Sequence, residues 1–249
     1  MQLPNVIRHI TRYGIDLIVL SSLLILGCSG GGGGGGGGGP VTSSLTFPLA
    51  TANANLINNG YTLNLSITGT QIYNGTSYGV TGSATLTQSA ATVSTFEGQT
   101  AWLNTQSMTG SVTVLTVSTP VSSTAQVYST TNYAPLGEST SSSYYVMQGT
   151  PTIPSTGKVG DTAVIGTYDV FTDKTKLNLL GTAKISYVVE ADTANTAIID
   201  LIEDDYDTSN ILNASTQTRW KMDASGNVSF VSVRLTGTTP VGPFNYLFH

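Results

Sequence analysis

The side chains most often used for catalysis are scarce in this 249-residue chain. It has two histidines, His9 and the last residue His249, and a single cysteine, Cys28. A Ser-His-Asp or Cys-His arrangement needs a histidine held in the folded core, and a disulfide or a cysteine-based metal site needs more than one thiol. The sequence therefore predicts no catalytic residue, no cofactor and a non-enzymatic protein.

Two isolated carboxylates offer the nearest approach to catalytic chemistry. Glu97 and Glu138 are the only charged residues between positions 41 and 157. A glycosidase needs two carboxyl groups about 5–10 Å apart. Each glutamate, however, is next to a glycine (Glu97-Gly98 and Gly137-Glu138), which is typical of surface turns. A polysaccharide-acting enzyme is therefore only the third of our functional hypotheses.

The densest acidic segment of the chain runs from Glu203 to Asn210. Asp205, Asp207 and Ser209 stand at alternate positions, as the oxygen ligands of a calcium loop do, and are the calcium candidates. An EF-hand loop would have glycine at the position of Asn210 and a bidentate glutamate farther on. The alternative is a solvated hairpin end, whose charges prevent the strand edge from pairing with other chains.

Residues 131–137 and residues 142–145 form an uncharged region that contains three of the twelve tyrosines. Tyr133, Tyr144 and Tyr145 stand there among Ser, Thr and Asn, a combination that adaptable binding surfaces use. Strands also employ tyrosine with a buried ring and a solvated hydroxyl. We favour the structural interpretation of these residues over the binding one.

Composition excludes two further classes of protein. Charged residues make up 9% of the chain, against about 25% in an average soluble domain. The formal net charge is −5 with nine Lys and Arg, so there is no basic surface for nucleic acid. The chain also lacks the Ala, Glu, Lys, Leu and Arg richness of a coiled coil.

The first 28 residues have the organisation of an export signal. Arg8 and Arg12 precede an uncharged, mostly apolar run over residues 17–27. As a helix this run would reach about 16 Å, too short to cross a bilayer but sufficient for a signal peptide. The segment Ile25-Leu26-Gly27-Cys28 resembles the lipobox of bacterial lipoproteins. That resemblance implies cleavage after Gly27, acylation of Cys28 and a membrane anchor made of lipid.

A run of glycines follows the cysteine, from Gly30 to Gly39, and ends at Pro40. It cannot form a core, and as a coil it would span about 17–19 Å. The run resembles the start of several surface-exposed neisserial lipoproteins, in which glycines follow the acylated cysteine. In enterobacterial lipoproteins Asp after the cysteine favours retention at the inner membrane, so by resemblance Ser29 implies transfer to the outer membrane. We thus divide the chain into a signal peptide (1–27), a lipidated and disordered Gly-rich tether (28–40) and a folded domain (41–249).

The folded domain is predicted to be all-β, because apolar residues recur at every second position and no amphipathic helix is evident. Ala183, Ile185, Tyr187 and Val189 share one face of such a strand. Turns are predicted at Asn74-Gly75 and at residues 223–227. Residues 162–236 read as five consecutive antiparallel strands. We expect antiparallel meander sheets that form a sandwich or a whole or half barrel, with a sub-boundary near residues 149–160.

Charges in the second half are expected to pair across the solvated face of this meander. The expected pairs bring Lys184, Arg219, Lys221 and Arg234 against Glu190, Asp200 and Glu203.

Two main functional hypotheses follow from the anchor and the strand-rich body. The first is a non-enzymatic binding or structural module of the bacterial envelope, held at the periplasmic or outer face of the outer membrane. Its partners would be the membrane and a lipid, glycan or protein, but not nucleic acid. The alternative is a carrier in which a curved antiparallel sheet encloses an apolar ligand.

Overall fold

The computed structural model of the protein describes residues 41–249. These residues form a short helix and a large antiparallel sheet, which confirms the predicted all-β fold class. The elements are α1 (Leu49–Asn59), β1 (Tyr61–Tyr73), β2 (Thr76–Gln88), β3 (Thr92–Phe96), β4 (Gln99–Val114), β5 (Val117–Ser129), β6 (Pro135–Ser139), β7 (Tyr144–Met147), β8 (Thr162–Phe171), β9 (Leu179–Ala191), β10 (Thr196–Asp207), β11 (Leu212–Asp223), β12 (Val228–Thr239) and β13 (Gly242–Phe248).

The sheet closes on itself as a barrel of twelve strands. Neighbours follow the order β2-β1-β13-β12-β11-β10-β9-β8-β7-β6-β5-β4, and β2 pairs with β4 to complete the circle. Strand β3 continues past the end of β2 and pairs with the first residues of β4. Closure leaves no open edge between the first and last strands of the circle, which removes the hazard of edge-to-edge association there. Of the architectures expected from the sequence, the closed barrel is therefore the one observed.

The alternation predicted for the second half is present in the barrel. Ala183, Ile185, Tyr187 and Val189 of β9 are buried, and the residues between them are only partly buried. The five strands β8 to β12 pair in sequence order, as predicted for a meander. Side chains of a strand alternate between its two faces, so the buried set points into the barrel.

Helix α1 corrects the expectation that no helix follows residue 41. Its buried residues are Leu49, Ala52, Asn53, Leu56 and Ile57, which is the i, i+3, i+4, i+7, i+8 spacing of one helical face. The sequence analysis missed this pattern because small and polar residues occupy positions of the buried stripe. The helix ends at Gly60, which has φ 65° and donates its N–H to Leu56 O at 2.9 Å.

Helix α1 lies across one end of the barrel, which we call the helix end. Asn104 Nδ2 of β4 donates to Ile57 O at 2.7 Å and to Ser89 O at 2.8 Å. Gln88 Nε2 of β2 donates to Leu56 O, and Gln106 Nε2 donates to Gln88 Oε1 at 2.6 Å. The last carbonyls of a helix lack partners within the helix, so these buried amides satisfy carbonyls of α1 and fix it to the strands.

The chain enters the barrel at this helix end. Val41 forms a bridge with Asp192, in the turn between β9 and β10, and Phe47 pairs with Gly157, in the segment between β7 and β8. Phe47, Leu49 and Leu56 are at most 3% exposed, and burying such a side chain stabilises the fold by about 1.5–3 kcal/mol. Residues 41–59 therefore form part of the barrel core. Residues 149–160, where a sub-boundary was predicted, connect β7 and β8 of the same sheet.

Two predicted turns are present as hairpins. Asn74 and Gly75 have φ 48° and 81°, as a two-residue hairpin with a primed turn requires. In the second turn, Asp223 Oδ1 accepts hydrogen bonds from the backbone N–H of Ser225 and of Asn227, each at 2.9 Å. Gly226 supplies the positive φ, 83°.

Candidate functional site

The end of the barrel opposite α1 contains a cavity of about 330 Å³. It lies between the ends of strands β7 to β13, where hairpin turns approach one another. We call this cavity and its rim the mouth. Its lining residues are Ser143, Tyr145, Val170, Leu180, Gly181, Thr182, Asp205, Tyr206, Asn213, Ala214, Thr238, Thr239, Pro240 and Phe244.

The lining of the mouth is mostly apolar or aromatic, with one charged residue. Asp205 is the only ionisable carboxylate among the lining residues, and no Lys, Arg or His of the described chain is among them. Ligand sites are generally concave and apolar with a few polar groups that orient the ligand. The mouth has this composition.

The alternation of β10 brings Asp205 to the interior. Ala197, Ile199 and Leu201 are buried and point inward, and Glu203 and Asp205 continue the same face. In the neighbouring strands Glu203 is level with Ile185 and Thr216, which are both buried. The sequence analysis placed Glu203 on the solvated face, and that expectation is wrong: Glu203 is 2% exposed.

Several acidic groups meet inside the barrel below the mouth. Burial raises the pKa of Glu203 well above its usual value, and the negative charges of Asp205, Glu138 and Asp204 raise it further. Burial, followed by the charge of Asp204, raises the pKa of Asp205 to about 7. The buried hydroxyl of Tyr145 also has a raised pKa, because of desolvation and of these same carboxylates. The interior at this end thus retains protons that solvated carboxyl groups would lose at neutral pH.

Two of these carboxyl groups have oxygen atoms without a protein partner. Glu203 Oε1 and Asp205 Oδ2 are buried and have no hydrogen-bond partner among residues 41–249. Buried polar atoms are normally hydrogen-bonded, because a missing bond costs about 1–3 kcal/mol. Such atoms beside a cavity are available to a ligand.

The three calcium candidates do not converge. Asp205 faces the interior, while Asp207 Oδ1 accepts hydrogen bonds from the backbone N–H of Ser209 (2.8 Å) and Ile211 (2.9 Å) in the turn after β10. Asp207 and Ser209 therefore belong to the hairpin turn. Within the described part of the chain, no group of three His, Cys, Asp or Glu is placed to hold a metal ion.

Glu97 and Glu138 lie on opposite faces of the sheet. Glu97, in the turn between β3 and β4, forms an ion pair with Lys176 and accepts a hydrogen bond from Tyr144 Oη at 2.8 Å. Glu138 is 3% exposed and pairs in register with Tyr145, whose side chain points inward. The two carboxylates do not flank a common cleft.

The tyrosines of the uncharged segments have separate roles. Tyr133 stacks on Trp102 with ring centroids 6.0 Å apart, and its backbone carbonyl accepts a hydrogen bond from Asn53 of α1 at 2.6 Å. It therefore helps to hold the helix end. Tyr144 contacts Glu97 on the outside, and Tyr145 lines the mouth. In the sequence, only the alternation of strand residues between two faces separates Tyr144 from Tyr145.

One of the expected charge pairs is present on the outer face, since Arg219 forms an ion pair with Glu190. Lys221 instead pairs at 3.2 Å with Asp192, which was not among the acids expected to pair. Burial and the charge of Glu190 raise the pKa of Asp200 to about 6, although Arg219 partly offsets them.

A second, shallower depression of about 380 Å³ lies on the outside of β1, β2 and β4. Its exposed lining consists of small uncharged residues, among them Asn64, Ser66, Ser83 and Thr109. It contains no ionisable or aromatic side chain, so it offers less binding chemistry than the mouth.

The predicted signal peptide, Cys28 and the Gly-rich tether lie outside the described residues. In the part that is described, α1 is neither long nor apolar enough for a membrane-crossing helix, and no other helix qualifies. Comparison with protein-family models, curated proteins and solved structures finds no match to this chain.

Proposed function

We propose that this protein is a lipid-anchored component of the bacterial envelope that holds a small, partly apolar ligand in the mouth of its barrel without transforming it. The proposal combines the binding-module and carrier hypotheses. The observation that carries it is the asymmetry of the barrel: α1 covers one end, and a cavity of about 330 Å³ with an apolar lining occupies the other.

The size of the cavity limits what it can hold. Ligand pockets generally measure about 300–1,000 Å³, so this one suits a small molecule or one end of a larger one. Apolar side chains fill the barrel between the mouth and α1; the largest of them include Trp220, Met222 and Ile185. A ligand would therefore lie at the mouth and would not extend through the barrel.

The route of the chain suggests how the mouth is oriented. Val41 is at the helix end, bridged to Asp192, so a lipid on Cys28 would hold that end towards the membrane. Strands of twelve residues tilted as in barrels give a height of roughly 30 Å. Only twelve residues separate Cys28 from Val41 in the sequence. The mouth would then face away from the membrane and take its ligand from the aqueous side.

Native mass spectrometry of the full chain, extracted in mild detergent, tests the ligand directly. We expect a co-purifying small molecule that dissociates on collisional activation. Ala214→Phe fills the mouth from the inner face of β11 and should abolish this species. Ser215→Phe, the adjacent position on the outer face, is the matched control and should retain it. A ligand that persists in Ala214→Phe, or wild-type protein that never carries one, contradicts the proposed function.

Intact-mass analysis of the same material tests the anchor. We expect a chain that begins at Cys28 and carries acyl groups, and Cys28→Ser should release the protein from the membrane fraction. A mass that retains residues 1–27, or that has an unmodified thiol, would contradict the proposed location.

A further inference from the structure

We propose that the mouth selects an organic cation, whose ammonium group is held by the carboxyl group of Asp205 while its apolar part contacts the rim. This inference rests on the proposed function and specifies the class of ligand. It depends on three features of the mouth: an acid without a counter-charge, an apolar and aromatic lining, and a proton that the cation would displace.

The acid is present without a compensating cation. Asp205 lines the cavity, and its Oδ2 has no hydrogen-bond partner among residues 41–249. Farther in on the same face of β10, Glu203 is 2% exposed and its Oε1 likewise has no partner. The basic residues of these strands, such as Lys184 and Arg219, are on the outer face. A buried carboxylate is costly unless a positive charge or hydrogen bonds compensate it, and a bound ammonium ion would supply both.

The lining suits the remainder of such a ligand. Val170, Ala214 and Pro240 offer aliphatic surface, and Tyr145 and Phe244 offer aromatic rings. Aromatic faces attract organic ammonium ions, by about 0.5–2 kcal/mol according to how far the ion is desolvated. An anionic ligand would find no positive side chain among the described residues that line the mouth.

Binding of a cation should be coupled to proton release. Among the described residues, acidic groups interact with Asp205 and with Glu203 beneath it. Asp204, Glu203 and Tyr145 interact with Asp205, and Glu138 and Tyr168 interact with Glu203. Burial and the charge of Asp204 favour the neutral carboxyl of Asp205 and raise its pKa to about 7. When the ammonium group binds, the proton of Asp205 passes to solvent and the carboxylate pairs with the cation. Affinity should therefore rise with pH, by at most about tenfold per pH unit below pH 7.

Three matched probes distinguish the chemical classes: 2-phenylethylammonium, 2-phenylethanol and phenylacetate. Binding to the full-length lipoprotein in nanodiscs would be measured by isothermal titration calorimetry at pH 6 and pH 8, with empty nanodiscs as the blank. We expect the ammonium ion to bind at least tenfold more tightly than the alcohol at pH 8, and three- to tenfold more weakly at pH 6 than at pH 8. Buffers of different ionisation enthalpy should reveal proton release at pH 6.

Asp205→Asn should reduce the preference for the ammonium ion to less than about threefold and remove the pH dependence. Asp169→Asn, which removes an acid from the outer face of β8, should retain both. Thermal melting of each variant identifies a folding defect. Glu203→Gln is a second test on the same face and should weaken the ammonium ion without affecting the alcohol.

Failure of this inference can be separated from failure of the proposed function. Equal binding of the ammonium ion and the alcohol, or tighter binding of phenylacetate, overturns the proposal that the ligand is a cation. If Ala214→Phe abolishes that binding, the mouth is still a ligand site. Absence of binding by all three probes at millimolar concentration also overturns it. The proposed function is decided independently, by the co-purifying species in native mass spectrometry.

Discussion

Three amides that fix α1 at the helix end and two acids at or just below the mouth are all buried, but their hydrogen bonding differs. At the helix end the amides of Gln88, Asn104 and Gln106 are at most 6% exposed, and each donates hydrogen bonds to the helix or to a neighbouring amide. At the mouth, Glu203 and Asp205 have buried oxygen atoms without a partner in residues 41–249. Satisfied amides hold a barrel closed, whereas unsatisfied acids beside a cavity cost stability that a ligand can recover.

The largest effect is expected from removing one of the satisfied amides. Asn104→Ala deletes one buried and one partly buried hydrogen bond, to Ile57 O and to Ser89 O. We expect the free energy of unfolding to fall by about 2–3 kcal/mol, or roughly 4–12 °C in Tm. Thermal and urea unfolding measure the effect. Asn64→Ala on the exposed face of β1 is the control and should change stability by less than about 0.5 kcal/mol. Equal effects of the two changes would remove the difference between the barrel ends.

The next largest effect is expected in the pH dependence of the free energy of unfolding, through the acids at and just below the mouth. Burial raises the folded-state pKa of Glu203 and Asp205 above the unfolded values of about 4. Their contribution to stability is therefore complete below about pH 4. The contribution of Asp205 is lost as pH rises through about 7, and that of Glu203 is lost as pH rises through its own raised pKa. Each group contributes a slope of at most about 1.4 kcal/mol per pH unit. Glu203→Gln should flatten this decline and increase stability by about 1–2 kcal/mol at pH 8.

Chemical denaturation between pH 4.5 and pH 8.5 measures this slope. Asp169→Asn removes an acid from the outer face of β8, so its stability should follow the wild-type pH dependence. A wild-type protein that becomes more stable from pH 5 to pH 8 would contradict the assignment of retained protons to the mouth.

The inward acids also show where sequence reasoning succeeded and where it stopped. Alternation predicted the strands of the second half correctly. In β10, two further steps of two residues beyond the buried Ala197, Ile199 and Leu201 place Glu203 and Asp205 inside the barrel. The sequence analysis instead assigned this segment by composition, as a solvated hairpin end. That assignment gave more weight to the charge of the residues than to their periodicity. A strand with one buried face keeps its register, so the periodicity was the better guide.

Helix α1 was not predicted from the sequence, and the closure of the barrel and the presence of a cavity were left open. The strands of the second half were predictable because each has one apolar face, and residues 162–236 pair as expected. Helix α1 was missed because Asn53 and the small Ala52 occupy its buried stripe. Closure of the barrel depends on the pairing of β2 with β4, and nothing in the sequence of either strand distinguishes this pairing from an open edge. The cavity in turn follows from closure.

A smaller effect on the free energy of unfolding is expected from removing Arg219, the cation near the buried acid Asp200. Arg219 pairs with Glu190 and lowers the otherwise raised pKa of Asp200, which is about 6. Asp200 is charged at pH 8 and largely protonated at pH 5, so Arg219→Gln should cost about 1 kcal/mol or less at pH 8 and still less at pH 5. Denaturation at the two pH values measures the difference. Arg234→Gln, on the exposed face of β12, should show no such dependence, and an equal loss in both variants would contradict the role of Asp200.

The smallest effect on stability is expected where the barrel has room. Enlarging a side chain in a filled core costs about 1–3 kcal/mol, because neighbours must move. Ala214 lines the cavity of about 330 Å³, so the added ring of Ala214→Phe has space and should change the free energy of unfolding by less than about 1 kcal/mol. Ala52 of α1 is 0% exposed at the helix end, and Ala52→Phe should cost at least twice as much. Urea unfolding of the two variants compares the ends directly: similar losses would mean that the mouth is as tightly packed as the helix end, and the asymmetry on which the proposed function rests would be absent.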